Sequence, residues 1–229
     1  VKIFFVLFAL VAVTLAAYPF LNQSKNPEAL TGLPWQIEIL GDGSTKIFGL
    51  QPGKSLLSDA LKILGSDMDM AIITASGELA NDDAGNYNIG SLEMYYGHYK
   101  AGLLSGKLVL QSNASAQDIK RWRENSPKFD YMPTGLAKKH LLLDSDLAQA
   151  LEKTIVSLTF IPAVNLDEEV IVARFGEPDQ RIELAGVIHF LYPNKGLDIA
   201  LHEESKEVLQ YVAPDAFGQL IQPLSKPVQ

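Results

Sequence analysis

The sequence predicts an α+β protein: an N-terminal transmembrane helix, then one or two modules in which a short helix lies on an antiparallel meander. Three observations predict it. Residues 3–21, from Ile3 to Leu21, carry no charge and only Thr14 as a clearly polar residue. Beyond them, apolar alternation at period two recurs between Gly, Pro and Asn turns, which is the signature of half-buried strands. Short runs with helical spacing interrupt the strands, two of them ending in a glycine.

The apolar start is just long enough to cross a bilayer core of roughly 30 Å as a helix. Lys2 is the one charge on its N-terminal side, so the expected orientation is cytoplasmic start and exported remainder. The expected location is the inner membrane, single-pass, with the bulk of the chain in the periplasm. A cleaved signal ending near Thr14-Leu15-Ala16 or Leu15-Ala16-Ala17 is the alternative. Residues 22–33 are polar and read as a tether.

Residues 35–40 and 45–50 flank Gly41-Asp42-Gly43-Ser44 and predict a hairpin. Pro52-Gly53-Lys54-Ser55 introduces a helix with Leu57, Leu61 and Leu64 at helical spacing, Ser55 or Ser58 as its cap and Gly65 as its stop. Residues 70–75 predict a strand, 78–88 a polar loop, and 92–99 with 103–111 a long hairpin. Ser115 and Asp118 form a capping box for a helix over 115–124 that turns Ile119 and Trp122 inward. Residues 125–135 are a Pro-bearing connector. A helix at 145–154 and a β-branched strand at 155–161 follow.

The last part is the best specified. A short helix over 167–175 ends at Gly176, and strands follow at 182–184, 187–192, 197–202 and 208–212. Pairing outward from Pro193-Asn194-Lys195-Gly196 sets Tyr192 opposite Leu197, Phe190 opposite Ile199 and Ile188 opposite Leu201, all on one face. Residues 214–220 predict a final helical turn. The expected organisation is anchor or signal at 1–21, tether at 22–33, first module at 34–125, connector at 126–144, second module at 145–222 and a tail at 223–229.

Charge and composition narrow the function. The net charge is −8, and it is one unit more negative without residues 1–21, whose only charge is Lys2. No basic face is expected, so nucleic acid is a poor partner. The absence of cysteine removes disulfides, thiol catalysis, Fe–S clusters and cysteine zinc sites together.

Two stretches rhyme. Ala60 to Asp67 (ALKILGSD) precedes the strands at 92–111, and Ile171 to Asp179 (IVARFGEPD) precedes those at 187–202. Each is a short helix, a terminating glycine, an acidic step and antiparallel strands. This pattern resembles the BamE/SmpA-like modules of cell-envelope proteins. The layout from Gly53 to Gly65 matches in the first copy, with Ser66 where that family usually has Pro. Phe175-Gly176-Glu177-Pro178 matches in the second, which lacks the leading glycine. The family's lipid-bearing cysteine is missing. The resemblance implies a scaffolding or docking role in the periplasm, with an envelope or membrane protein as partner, no cofactor and no catalytic residue.

Four candidate sites follow from the residues. Tyr95, Tyr96, His98 and Tyr99 share one strand and make a candidate partner surface on an edge open to strand addition, with Tyr96 and His98 on one face and Tyr95 and Tyr99 on the other. His189, Asp198 and His202 fall on the non-core face of the last hairpin. There the diagonal neighbours lie roughly 7 Å apart, close enough to hold a metal after modest movement. Gly49 to Ser55 imitates a phosphate loop but has one residue too few between its glycines, and Pro52 removes an amide. Asn81 to Asn88 is rich in oxygen ligands but lacks the order of a calcium-binding loop and its closing Glu. No Gly-x-Ser-x-Gly elbow occurs. The expected function is that of a non-enzymatic docking or accessory subunit, with a small-molecule or metal-binding domain as the alternative.

Overall fold

The alternation seen in the sequence resolves into a single ten-stranded antiparallel sheet. The computed structural model describes residues 31–76, 89–126, 128–202 and 205–224. The stretch from Ile3 to Leu21 and the oxygen-rich loop from Asn81 to Asn88 lie outside these. Among the described residues no helix is long and apolar enough to cross a membrane.

A small hairpin, β1 (Glu38–Ile39) and β2 (Thr45–Lys46), leads the described chain. Then come α1 (Leu57–Leu64), β3 (Asp69–Ala75), β4 (Ser91–Ala101) and β5 (Leu104–Ser112). Helix α2 (Ala116–Asn125), β6 (Phe129–Tyr131), β7 (Ala137–Leu141) and α3 (Asp144–Leu151) follow. Strand β8 (Ile155–Pro162) precedes α4 (Glu168–Phe175), β9 (Gln180–Leu184), β10 (Val187–Tyr192), β11 (Leu197–His202), β12 (Val208–Val212) and α5 (Gly218–Leu224). The strand order is β6-β7-β3-β4-β5-β8-β12-β11-β10-β9. The expected α+β class is observed, and the one large sheet contains two meanders, β3-β4-β5 and β9-β10-β11. The β10–β11 register is the expected one at every pair from Tyr192–Leu197 to Ile188–Leu201.

The two meanders begin alike. Helices α1 and α4 are both eight residues long, and the strand after each starts four residues beyond its glycine cap. Gly65 (φ 93°, ψ 179°) and Gly176 (φ 83°, ψ 178°) hold the same backbone conformation, which a side chain would disfavour strongly. Each cap carbonyl accepts a hydrogen bond from a tyrosine on the middle strand: Tyr96 Oη to Gly65 O at 3.1 Å, Tyr192 Oη to Gly176 O at 2.9 Å. The helix is thereby pinned to its own sheet at its C-terminal end.

Helices α1 to α4 cover one face. Their inward residues Leu57, Ala60, Ile119, Trp122, Ala150, Ile171 and Phe175 join Ile72, Met94, Leu110, Leu158, Leu209 and Phe190 in one apolar cluster. Phe48 also belongs to it. The turn from Ile47 to Leu50 closes with hydrogen bonds in both directions and places Phe48 at φ 53°, unusual for a bulky residue. Its ring lies 5.3 Å from Tyr99, 5.7 Å from Phe160 and 5.9 Å from Tyr211, where strands of both halves meet. On the opposite face, Phe217 and α5 cover Leu191 and Val212, with Ile182 beside them.

Two local expectations change. Helix α1 is capped neither by Ser55 nor by Ser58: the Asp59 carboxylate accepts the Leu56 N–H at 2.9 Å, and Ser55 Oγ takes the Gln51 N–H instead. The connector is not structureless, because it supplies β6, the outermost strand at one end of the sheet.

Candidate docking surface

An edge strand shows its function in how it is protected, because its outer N–H and C=O groups are unpaired. The two ends of this sheet differ. Strand β9 carries Arg181 and Glu183, and Arg181 reaches Glu168 on α4 at 3.4 Å. Charge makes that edge a poor template for another strand.

Strand β6 carries one charge, Asp130, but among the described residues no ion pair ties it to a helix as Arg181 is tied. Among the described residues it pairs only with β7, Phe129 opposite His140, Asp130 opposite Lys139 and Tyr131 opposite Lys138. Met132 donates its N–H to Ala137 O at 2.9 Å. Because antiparallel pairs alternate, the N–H and C=O groups of Phe129 and Tyr131 then point away from β7. Their side chains are 41% and 64% exposed. Met132, Leu136, Leu141 and Leu143 add further exposed apolar surface to the same segment. A soluble surface rarely gathers so many large apolar side chains without a use for them.

The patch is ordered from beneath. Phe129 and Tyr131 meet edge to face with ring centres 5.6 Å apart, and the Lys138 ammonium lies 4.6 Å and 5.6 Å from them. His140 packs under Phe129 at 5.4 Å and its Nε2 contacts Thr74 Oγ1 at 3.2 Å. Burial, with Arg123 and then Lys138 nearby, pushes the His140 imidazole below its ordinary pKa. The turn that returns the chain from β6 to β7 is fixed by Gly135 N–H to Met132 O at 2.8 Å and Ser76 Oγ to Gly135 O at 2.6 Å.

The aromatic strand singled out by sequence lies elsewhere. Strand β4 is interior, paired with β3 from Ser91 to Tyr95 and with β5 along most of its length. A register shift between Tyr96 and Tyr99 breaks the alternation there. Both rings therefore turn to the helix-bearing side, 6.4 Å apart, and Tyr96 is only 3% exposed. Burial pushes the Tyr96 and Tyr99 hydroxyls up to about 12. Tyr95 faces the other side and His98 is exposed. The four residues do not form one surface, since Tyr96 and Tyr99 are spent on packing.

The last hairpin brings His189 and Asp198 together, Nδ1 to Oδ2 at 2.9 Å and to Oδ1 at 3.2 Å, both little exposed. His202 ends β11 opposite Val187. Among the described residues no three imidazole or carboxylate groups converge as a metal set, so His189, Asp198 and His202 are not gathered into one. The pair reads as a buried hydrogen bond that satisfies both polar groups. At the phosphate-loop imitation, Gly53 N–H donates to Ile155 O at 2.7 Å and Lys54 pairs with Asp42, so neither is offered to an anion.

The missed site had a signal. Phe129-Asp130-Tyr131-Met132 lies in a stretch dominated by Pro and Gly punctuation, yet its alternation is that of a strand. Comparison of the chain with protein-family models, with curated proteins and with solved structures returns no match.

Proposed function

We propose that this chain is a non-enzymatic docking protein that takes an extended segment of a membrane or envelope partner onto β6. In this reading the stretch from Ile3 to Leu21 tethers it to the inner membrane, and the sheet works in the periplasm. The observation that carries the proposal is the aromatic edge at Phe129 and Tyr131, exposed and unpaired on its outer side among the described residues, against the ion-paired edge at β9. The outward backbone groups supply affinity by strand addition, and the exposed rings supply selectivity. Asp130 also selects. Two copies paired antiparallel about Asp130 would set like charges opposite each other, which is destabilising. A partner strand with a lysine or arginine at that position and apolar residues beside it is favoured. The two helix-on-meander modules and the resemblance to BamE/SmpA-like modules support a docking role over a catalytic one.

The test is site-specific photocrosslinking in native membranes. A photoreactive residue at Tyr131 is expected to capture one partner, and the same residue at Glu183 on β9 none. Asp130→Lys is expected to abolish the adduct at position 131 while circular dichroism stays unchanged. Equal capture at both edges, or an adduct insensitive to Asp130→Lys, would remove the proposal.

A further inference from the structure

A second feature, distant from β6 in the strand order, is a cleft of about 540 Å³ on the face opposite helices α1 to α4. It lies at the far end of the β4–β5 hairpin, where these strands run past the last β3 pair, Asp69 with Tyr95. Gly97, His98, Lys100, Lys107, Ile161 and Lys206 are among its walls. The cleft exists partly because position 97 has no side chain: a Cβ there would already approach the Tyr95 ring at 3.3 Å.

Its chemistry runs against the rest of the molecule. The chain carries a net charge of −8, yet among the described residues three lysines and a histidine line this cleft and no carboxylate does. Lys100 and Lys107 form no ion pair with a described residue. Lys206 is held in place by donating to Ala163 O and Asn165 Oδ1. Like charges set together repel, and the molecule recovers that cost when an anion arrives. The floor is of the other kind: Gly97, Ile161, Pro162 and Ala163 offer apolar surface. The volume lies in the range of small-molecule sites.

We infer that this cleft binds a soluble single-chain amphiphile, its phosphate or carboxylate head among Lys100, Lys107 and Lys206 and its alkyl part on the Gly97–Ile161 floor. A bare anion leaves the floor wet, and a neutral alkyl chain leaves the lysines uncompensated. Both halves of the ligand are therefore needed.

The experiment is calorimetric titration of the full chain with decyl phosphate below its micelle concentration, with inorganic phosphate and decanol as the two halves. Decyl phosphate is expected to bind at one site, at least about tenfold more tightly than either half, as one lost charge-assisted contact would give. Lys100→Glu with Lys107→Glu is expected to weaken it about tenfold or more. Gly97→Leu, which fills the floor and leaves every lysine, is expected to abolish it, with Ile161→Asn, which makes the floor polar and also leaves every lysine, expected to weaken it about tenfold if Gly97→Leu does not fold. The inference is overturned if decyl phosphate binds no better than inorganic phosphate, or if the lysine variants bind as the parent does. Binding to vesicles of phosphatidylglycerol without binding to the monomer would overturn it as well, by moving the contact to a membrane surface.

Discussion

At the scale of single residues, two positions show how this fold spends its stability. Phe48 sits at a positive φ that a bulky side chain adopts only at a cost, and its ring is 5% exposed among Tyr99, Phe160 and Tyr211. Burial of the ring outweighs the backbone strain. Phe48→Ala keeps the strain and loses the ring, so it is expected to cost about 3 kcal/mol or more, read as a shift in the urea midpoint at unchanged m. Asp118 works through charge. It caps α2 with Ser115 and accepts from Lys153 at 2.6 Å and Arg121 at 2.8 Å. The Lys153 hydrogen bond, against the cost of burial and with help from Ser115, lowers its carboxyl to about 2. A carboxylate lowered in the folded state contributes fully above its unfolded pKa and loses that contribution as pH falls through the folded one. The window is therefore pH 4 down to 2, and the contribution is about 1–2 kcal/mol. Asp118→Asn is expected to flatten the acid limb of the stability profile there and to leave the neutral-to-alkaline limb unchanged in shape.

At the scale of elements, the helix–glycine–strand unit is the repeating device. The sequence rhyme that ends at Gly65 and Gly176 marks it because the constraint is local: the cap needs a positive φ and the strand follows at a fixed distance. What no local pattern reveals is the tyrosine on the middle strand, since Tyr96 and Tyr192 reach their glycines from far along the chain. Tyr192→Phe and Tyr96→Phe are each expected to cost about 1 kcal/mol, the net worth of one hydrogen bond. Gly176→Ala is expected to cost more than either, because it strains the backbone and leaves the packing intact. Both tyrosine hydroxyls are pushed up to about 12, chiefly by burial. A group raised in this way holds the folded state up to its unfolded pKa near 10 and loses that hold toward 12. Alkaline unfolding is thus expected to begin near pH 10 and to shift upward in the double Phe variant. Period two read the strands 187–192, 197–202 and 208–212 to the residue, because Phe190, Tyr192, Leu197, Ile199, Leu209 and Tyr211 recur at every second position on the helix-bearing face. It failed at Tyr96–Tyr99, where a bulge adds a residue to one strand alone. It also left β6 unassigned, because the alternation of Phe129, Asp130 and Tyr131 is one period long and sits between prolines that read as a connector.

At the scale of the whole molecule, the question is whether two like modules fold as one. Sequence marks each module through its own helix and turns, but the join between them is made by β5 and β8, which lie far apart in the chain and pair from Gly106–Pro162 to Ser112–Ile155. The join is not confined to backbone. Leu108 and Leu110 from one half touch the same apolar cluster as Leu158, Leu209 and Phe190 from the other, and Phe48 lies where they meet. The described residues from Gly32 onward accordingly belong to one compact unit. A cluster shared in this way couples the halves, because neither can lose its packing without exposing apolar surface on the other. The two tryptophans report on different sides of the join. Trp122 is fully buried under the first meander, on α2, and Trp35 meets Phe175 of the second at 6.1 Å with Arg174 over its ring. In two single-tryptophan variants, Trp35→Phe and Trp122→Phe, denaturant curves followed by fluorescence and by circular dichroism are each expected to coincide. Leu158→Ala at the join is expected to lower the midpoint in both backgrounds, by about 2–5 kcal/mol in free energy. If instead the Trp35 signal moves with Leu158→Ala while the Trp122 signal stays, the modules unfold separately and the continuous sheet is a docked pair.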